Sequence, residues 1–143
     1  MLVKIENGVV VKYPASVEEL RREHSHTSFP APMPRDILEL YGVFDVALDP
    51  MPSVDRTVHT VRQKDMPELV AGRWRLGWDV SQKSEADASA AIRAIRDDKL
   101  RSTDWAALQD VTMSEEMATY RQALRDVPQQ DGFPYNVVWP TQP

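Results

Sequence analysis

The sequence predicts an α+β protein: a small N-terminal mixed β-sheet unit with short helices, then a C-terminal α-helical hairpin with an extended tail. Three patterns carry this reading. Asn7-Gly8 separates two β-branched runs. Trp74, Leu76, Trp78 and Val80 recur at every second position, the period of a half-buried strand. After Ser81 the apolar spacing becomes that of amphipathic helices, with period 3.6 replacing period 2. The expected units are therefore residues 1–81 and 82–143.

In chain order, Leu2 to Ile5 and Val9 to Tyr13 form a β-hairpin, because Asn-Gly supplies the positive φ angles of a tight turn. Pro14 ends it. Ser16 precedes Glu19 by three residues, the capping-box spacing in which each side chain satisfies the other's backbone N–H, so a short helix runs from Val17 to about His24. Pro30, Pro32 and Pro34 then enforce an extended connector, since proline lacks a backbone donor and disfavours helix before it. Phe29 and Met33 are expected to pin this connector. Pro34 suits the first position of a helix carrying Ile37, Leu38 and Tyr41, and Gly42 its C-terminal cap. Val43 to Leu48 reads as a strand, Thr57 to Val61 as a weaker one, and residues 67–72 as a turn into the single strand that bears Trp74 and Trp78 on one face.

Ser84-Glu85-Ala86-Asp87 opens a helix to about Arg101, with Ala88, Ala91, Ile92, Ile95 and the stem of Lys99 on one stripe. Ser114 caps a second helix, Glu115 to Asp126, whose Met117, Tyr120, Leu124 and Val127 follow the 3, 4, 3 spacing of one face. Glu115 and Glu116 in its first turn and Arg125 in its last complement the helix dipole. A short connection favours antiparallel neighbours, so the Met117–Tyr120–Leu124 stripe is expected against Ile92 and Ile95.

Composition narrows function. The absence of cysteine excludes disulfide and thiolate chemistry. The N-terminus lacks the apolar core of a signal peptide, and no run approaches the roughly 18 apolar residues of a membrane span. A net charge of −5 without a basic stripe disfavours nucleic acid, whose phosphates demand cations. These observations predict a soluble protein with a protein partner, no nucleic acid and no membrane. His24 and His26 stand in a polar connector and His59 is alone, short of the four-ligand set of a zinc site. The five glycines are scattered and form no phosphate loop. Asp97-Asp98 and Glu115-Glu116 are adjacent pairs, and on a helix adjacent side chains diverge by about 100°, so neither offers converging carboxylates. The expectation is no active site, no metal and no cofactor.

The aromatic residues are the candidates for binding. Trp74 and Trp78, placed on one sheet face, are core by default or a partner patch. Trp105 and Trp139 flank the second helix. Trp139 sits with Phe133 in a proline-bounded tail that can dock on its own helices or on another chain. Partner-binding candidates are therefore Trp74, Trp78, Trp105, Tyr120, Phe133 and Trp139.

The C-terminal residues also carry a resemblance. Thr103-Asp104-Trp105, the helix with Tyr120-Arg121-Gln122-Ala123-Leu124-Arg125-Asp126, the Pro128-Gln129-Gln130 and Gly132-Phe133-Pro134 loop, and Trp139-Pro140 occur in that order. Over residues 93–143 this resembles the phage tail assembly chaperone domain of tail fibre assembly proteins, departing from it at Ala106-Ala107 and Gln109. Residues 1 to 80 carry no comparable set of motifs. The resemblance implies a chaperone that binds a phage tail fibre or other tail protein and assists its folding or trimerisation, with the variable N-terminal unit holding partner specificity. It implies action in the host cytoplasm during assembly. The alternative is a permanent structural component retained on the virion tail.

Overall fold

The computed structural model describes residues 1–143 and divides into two units, Met1–Ser53 with Val61–Asp79, and Val54–Thr60 with Val80–Pro143. The fold is α+β. β4 (His59–Gln63) and β7 (Trp78–Gln82) pair as a two-stranded sheet.

The first unit is built on a five-stranded sheet. β1 (Leu2–Glu6) and β2 (Val9–Ala15) form the antiparallel hairpin, with Glu6 opposite Val9 and the turn residues Asn7 and Gly8 at φ 51° and 79°. β2 continues through Pro14 to Ala15, where register irregularities in the ladder accommodate it. β3 (Val43–Leu48) pairs antiparallel with β1 and parallel with β6 (Arg73–Leu76), and β5 (Glu68–Val70) closes the far edge against β6. The order is β2-β1-β3-β6-β5. One cluster joins Val3, Val46 and Leu76, flanked by Phe44 and Trp74. The other joins Val43 to Leu20 of α1 (Val17–Glu23) and Leu38 of α2 (Arg35–Leu40). These helices are too short to persist alone, so burial of those leucines supplies the stability that propensity cannot.

Local chemistry fixes the ends. The Ser16–Glu19 capping box forms in both directions at 3.2 Å. Pro34 is the N-cap of α2 rather than its first helical residue. Gly42, at φ 73°, turns the chain into β3, and its carbonyl accepts the Ile5 N–H at 2.7 Å. A Cβ there would stand 2.4 Å from the Ile5 carbonyl oxygen, which only glycine avoids.

Three sequence expectations are corrected in this region. Residues 67–72 are a hairpin and not a plain turn: Ala71 and Gly72 adopt φ 49° and 74°, so the mirror-image turn forms without the usual asparagine. The strand expected over Thr57–Val61 begins at His59, because Asp55 accepts Thr57 N–H at 2.8 Å and holds residues before it in a turn. Most consequential, Trp74 and Trp78 do not share a strand. Gly77 breaks the run, and Trp74 belongs to the five-stranded sheet while Trp78 belongs to the β4–β7 pair. The cause lies far off in sequence. Asp49 binds Arg75 through its carboxylate at 2.5 Å and accepts the Trp78 indole N–H through its carbonyl at 3.0 Å. A Cβ on Gly77 would meet that carboxylate at 3.2 Å.

The second unit is the helical hairpin: α3 (Glu85–Ser102), a 3-10 helix (Asp104–Ala107), α4 (Glu115–Asp126) and a second 3-10 turn (Val127–Gln129). Ser84 and Ser114 cap α3 and α4 through their hydroxyls, at 3.1 and 3.2 Å. The predicted stripe of α4 is the buried one, but its partners differ. Met117, Tyr120 and Leu124 pack with Ala106, Leu100, Met113 and Trp139, whereas Ile92 packs with Val127, Ala88 and Val58. Helix α3 thus meets α4 nearer its own C-terminus than expected.

The tail after Gln130 folds back. Gly132 to Asn136 forms a turn in which Asn136 N–H bonds the Gly132 carbonyl at 2.7 Å, and Phe133, Tyr135, Val137 and Trp139 line the Val58–Ile92–Val127 cluster. Gln130 grips Val138 twice, accepting its N–H at 2.8 Å and donating to its carbonyl at 2.9 Å. The Tyr135 hydroxyl donates to the Lys83 carbonyl at 2.9 Å.

Two predictions follow from this packing. Leu124, at 0% exposure, should cost about 2–5 kcal/mol when replaced by alanine, read as a lowered denaturation midpoint. The second concerns acid. Glu23 beside Lys4, and Glu19 beside Lys12, tie α1 to the hairpin, and these partners hold both carboxyls below their ordinary value of 4.5. A lowered native pKa contributes stability present above the unfolded value and lost as pH falls through the native one. Stability of the first unit should therefore decline on acidification below about pH 4.5, and Glu23→Gln should flatten that decline in a urea titration series.

Candidate partner-binding surface

Arg121 organises the second unit. The residue is 7% exposed, with Nη1 donating to the Leu100 carbonyl at 2.8 Å and to Thr103 Oγ1 at 2.6 Å. Nη2 reaches the Asp104 carboxylate at 2.9 Å. Leu100 offers one of the terminal carbonyls that a helix leaves unpaired; Thr103, fully buried, donates to the same oxygen at 2.9 Å. One guanidinium on α4 thereby caps the C-terminus of α3 and pins the start of the 3-10 helix. Its planar fork suits this task as a lysine ammonium does not.

The 3-10 helix then has a fixed orientation. Ala106, 3% exposed, faces Met117 and Tyr120, while its neighbour Trp105 points outward at 57% exposure. Beyond it, Leu108 and Val111 are also exposed, at 56% and 37%. The segment from Thr103 to Glu116 carries Asp104, Asp110, Glu115 and Glu116 and no lysine or arginine. Of these, Asp104 is ion-paired with Arg121; Asp110, Glu115 and Glu116 form no ion pair.

The other predicted site residues have different surroundings. Trp74 is half-buried against Val3, Val46 and Leu76. Trp78 is half-buried and held through its indole N–H. Tyr120 is interior at 4% exposure. Phe133 and Trp139 are half-buried and each carries a cation over its ring, Arg93 at 5.2 Å and Lys99 at 5.6 Å, a favourable pairing with the ring face. Trp105 is thus the one of the six displayed to solvent. Sequence reasoning missed Leu108 and Val111, although both lie in an acidic stretch that has no helical period to bury them.

The first unit exposes its own apolar side chains at both sheet edges, Val9 and Val11 on β2, Leu69 and Val70 on β5. It also holds an open cleft of about 530 Å³ bounded by Arg35, Phe44, Asp45 and Trp74, where Arg35 and Asp45 pair at 2.8 Å. His24 packs edge-on against Phe29 and Tyr41, and His59 Nδ1 contacts the Asp55 carbonyl at 3.1 Å. No group of three His, Asp or Glu side chains is placed to hold a metal ion. No helix is long and apolar enough to cross a membrane.

The molecule is an α+β protein whose C-terminal unit is a helical hairpin wrapped by its own tail, with a tryptophan held outside it. Residues 89–143, less than half of the chain, match the family model described as phage tail assembly chaperone protein. This C-terminal segment is therefore similar to phage tail assembly chaperone proteins. The match begins early enough to include Ile92, which packs on Val127 beneath the tail. No curated protein matches the chain, and no solved structure does.

The Arg121 contacts differ in weight. Asp104 is 63% exposed, so Asp104→Asn should cost at most about 1 kcal/mol. Arg121→Met removes one partner each of the Leu100 carbonyl and the Thr103 hydroxyl, and should cost about 1–3 kcal/mol. Urea unfolding of both variants checks this order, with Arg121→Met the more damaging.

Proposed function

We propose that this protein is a phage tail fibre assembly chaperone, which binds a tail fibre protein and assists its folding or trimerisation without catalysis of its own. The observation that carries the reading is the family match over residues 89–143. Its physical logic is that intertwined, β-rich trimers form slowly and expose strand edges and apolar surface on the way. A binding partner that covers such surface until the trimer closes raises the yield of folded fibre.

The proposal assigns recognition of the particular fibre to the first unit, whose sheet edges expose Val9, Val11, Leu69 and Val70. Edge strands bearing apolar side chains are templates for pairing with another extended chain. The tail, Phe133 to Trp139, serves its own unit on this account, since its aromatic residues already line the Val58–Ile92–Val127 cluster. The proposed place of action is the host cytoplasm during assembly.

Co-expression tests this. With the fibre protein encoded by the same phage, the chain should raise the fraction of soluble, trimeric fibre, measured by sedimentation. Fibre that trimerises equally well without the chain would refute the proposal. Mass spectrometry of purified virions should then find the chain well below fibre stoichiometry; equal stoichiometry would instead identify a permanent tail component.

A further inference from the structure

We infer that Trp105, with Leu108 and Val111, is the docking anchor of this chaperone, and that its occupant is an apolar pocket on the fibre protein rimmed by lysine or arginine. The inference rests on the chaperone reading and adds where, and to what chemistry, the C-terminal unit binds.

Two independent features point the same way. The first is that Trp105 is exposed by construction. Ala106 is buried among Met117 and Tyr120, Asp104 is bonded to Arg121, and Thr103 is fully buried, so the residues on either side of Trp105 are anchored. A large ring presented at 57% exposure from an anchored backbone costs little backbone entropy on binding. That preorganisation, with the area a tryptophan can bury, is the character of interface hot spots. Leu108 and Val111 extend the same segment as apolar surface.

The second feature is charge. Asp110 lies in this segment, and Glu115 and Glu116 open α4 against whose Met117 the Ala106 methyl packs. None of these three carboxylates has an ion-pair partner, and from Thr103 to Glu116 no cation offsets them. An acidic pocket would meet uncompensated repulsion there, and a neutral one would gain no charge attraction. A cationic rim is attracted, which orients the approach and fixes the register of docking.

The test uses the full chain co-expressed with the tail fibre protein of its own phage. Wild-type chain is compared with Trp105→Ala, Leu108→Ala and Asp110→Lys for co-purification of fibre, with thermal unfolding run in parallel. Trp105→Ala should keep the wild-type melting temperature and lower the affinity at least about tenfold. Asp110→Lys should weaken binding and flatten its dependence on salt between about 50 and 500 mM. Fibre bound by Trp105→Ala as tightly as by wild type would overturn the inference and leave the chaperone reading intact. Wild-type chain that binds no fibre would overturn both. A self-associating chain that Trp105→Ala turns monomeric, with fibre binding unchanged, would assign the anchor to a second copy and overturn the inference.

Discussion

The C-terminal unit depends on a cation placed where a helix ends. Helix α3 finishes at Ser102 with unpaired carbonyls, and α4 begins only at Glu115. Among the residues between them, Ala106 is the one buried apolar side chain. Arg121 sets their course by spending its donors on the Leu100 carbonyl, Thr103 and Asp104. Because the helix C-terminus is the negative end of the dipole, a buried cation is favoured there as well as hydrogen-bonded. Its desolvation is offset by three oxygen partners, which is the condition under which a buried charge is tolerated.

Everything nearby inherits its position from that arrangement. With Leu100 and Thr103 fixed against α4, Ala106 falls into the Met117–Tyr120–Leu124 cluster and Trp105 is turned away from it. Trp139 then closes the same cluster from the tail side, touching both it and the Val58–Ile92–Val127 group. Two tryptophans in one unit thereby acquire opposite roles, one as cover and one as display. The tail's polar bonds, through Gln130 and Tyr135, keep the covering aromatic residues seated. An unanchored chain end would fray instead.

What was legible in the sequence was what local chemistry determines. The Asn7-Gly8 turn, the Ser16–Glu19 box, and the Ser84 and Ser114 caps act within a few residues, and each element formed where it was read. Features set by distant partners were not legible. The strand break at Gly77 depends on Asp49, and an uninterrupted period-two pattern contains no sign of it. The register of α3 on α4 depends on Arg121, which the spacing places beside Met117 and Leu124 but which its charge does not mark as interior. The outward turn of Trp105 depends on Ala106 being the neighbour that is buried, and a tryptophan beside two alanines reads more readily as core. The family resemblance, by contrast, rests on residue order alone and was fully legible.

The Arg121 latch fixes the backbone that turns Trp105 outward. The most direct measurement is the NMR order parameter of the Trp105 indole N–H in the free protein, with Arg121→Met as the comparison. The expected value is near that of rigid backbone in the wild type, about 0.85, with a fall below about 0.6 in a variant that remains folded. A Trp105 indole that is already mobile in the wild type, or equally ordered without Arg121, would contradict this role of the latch.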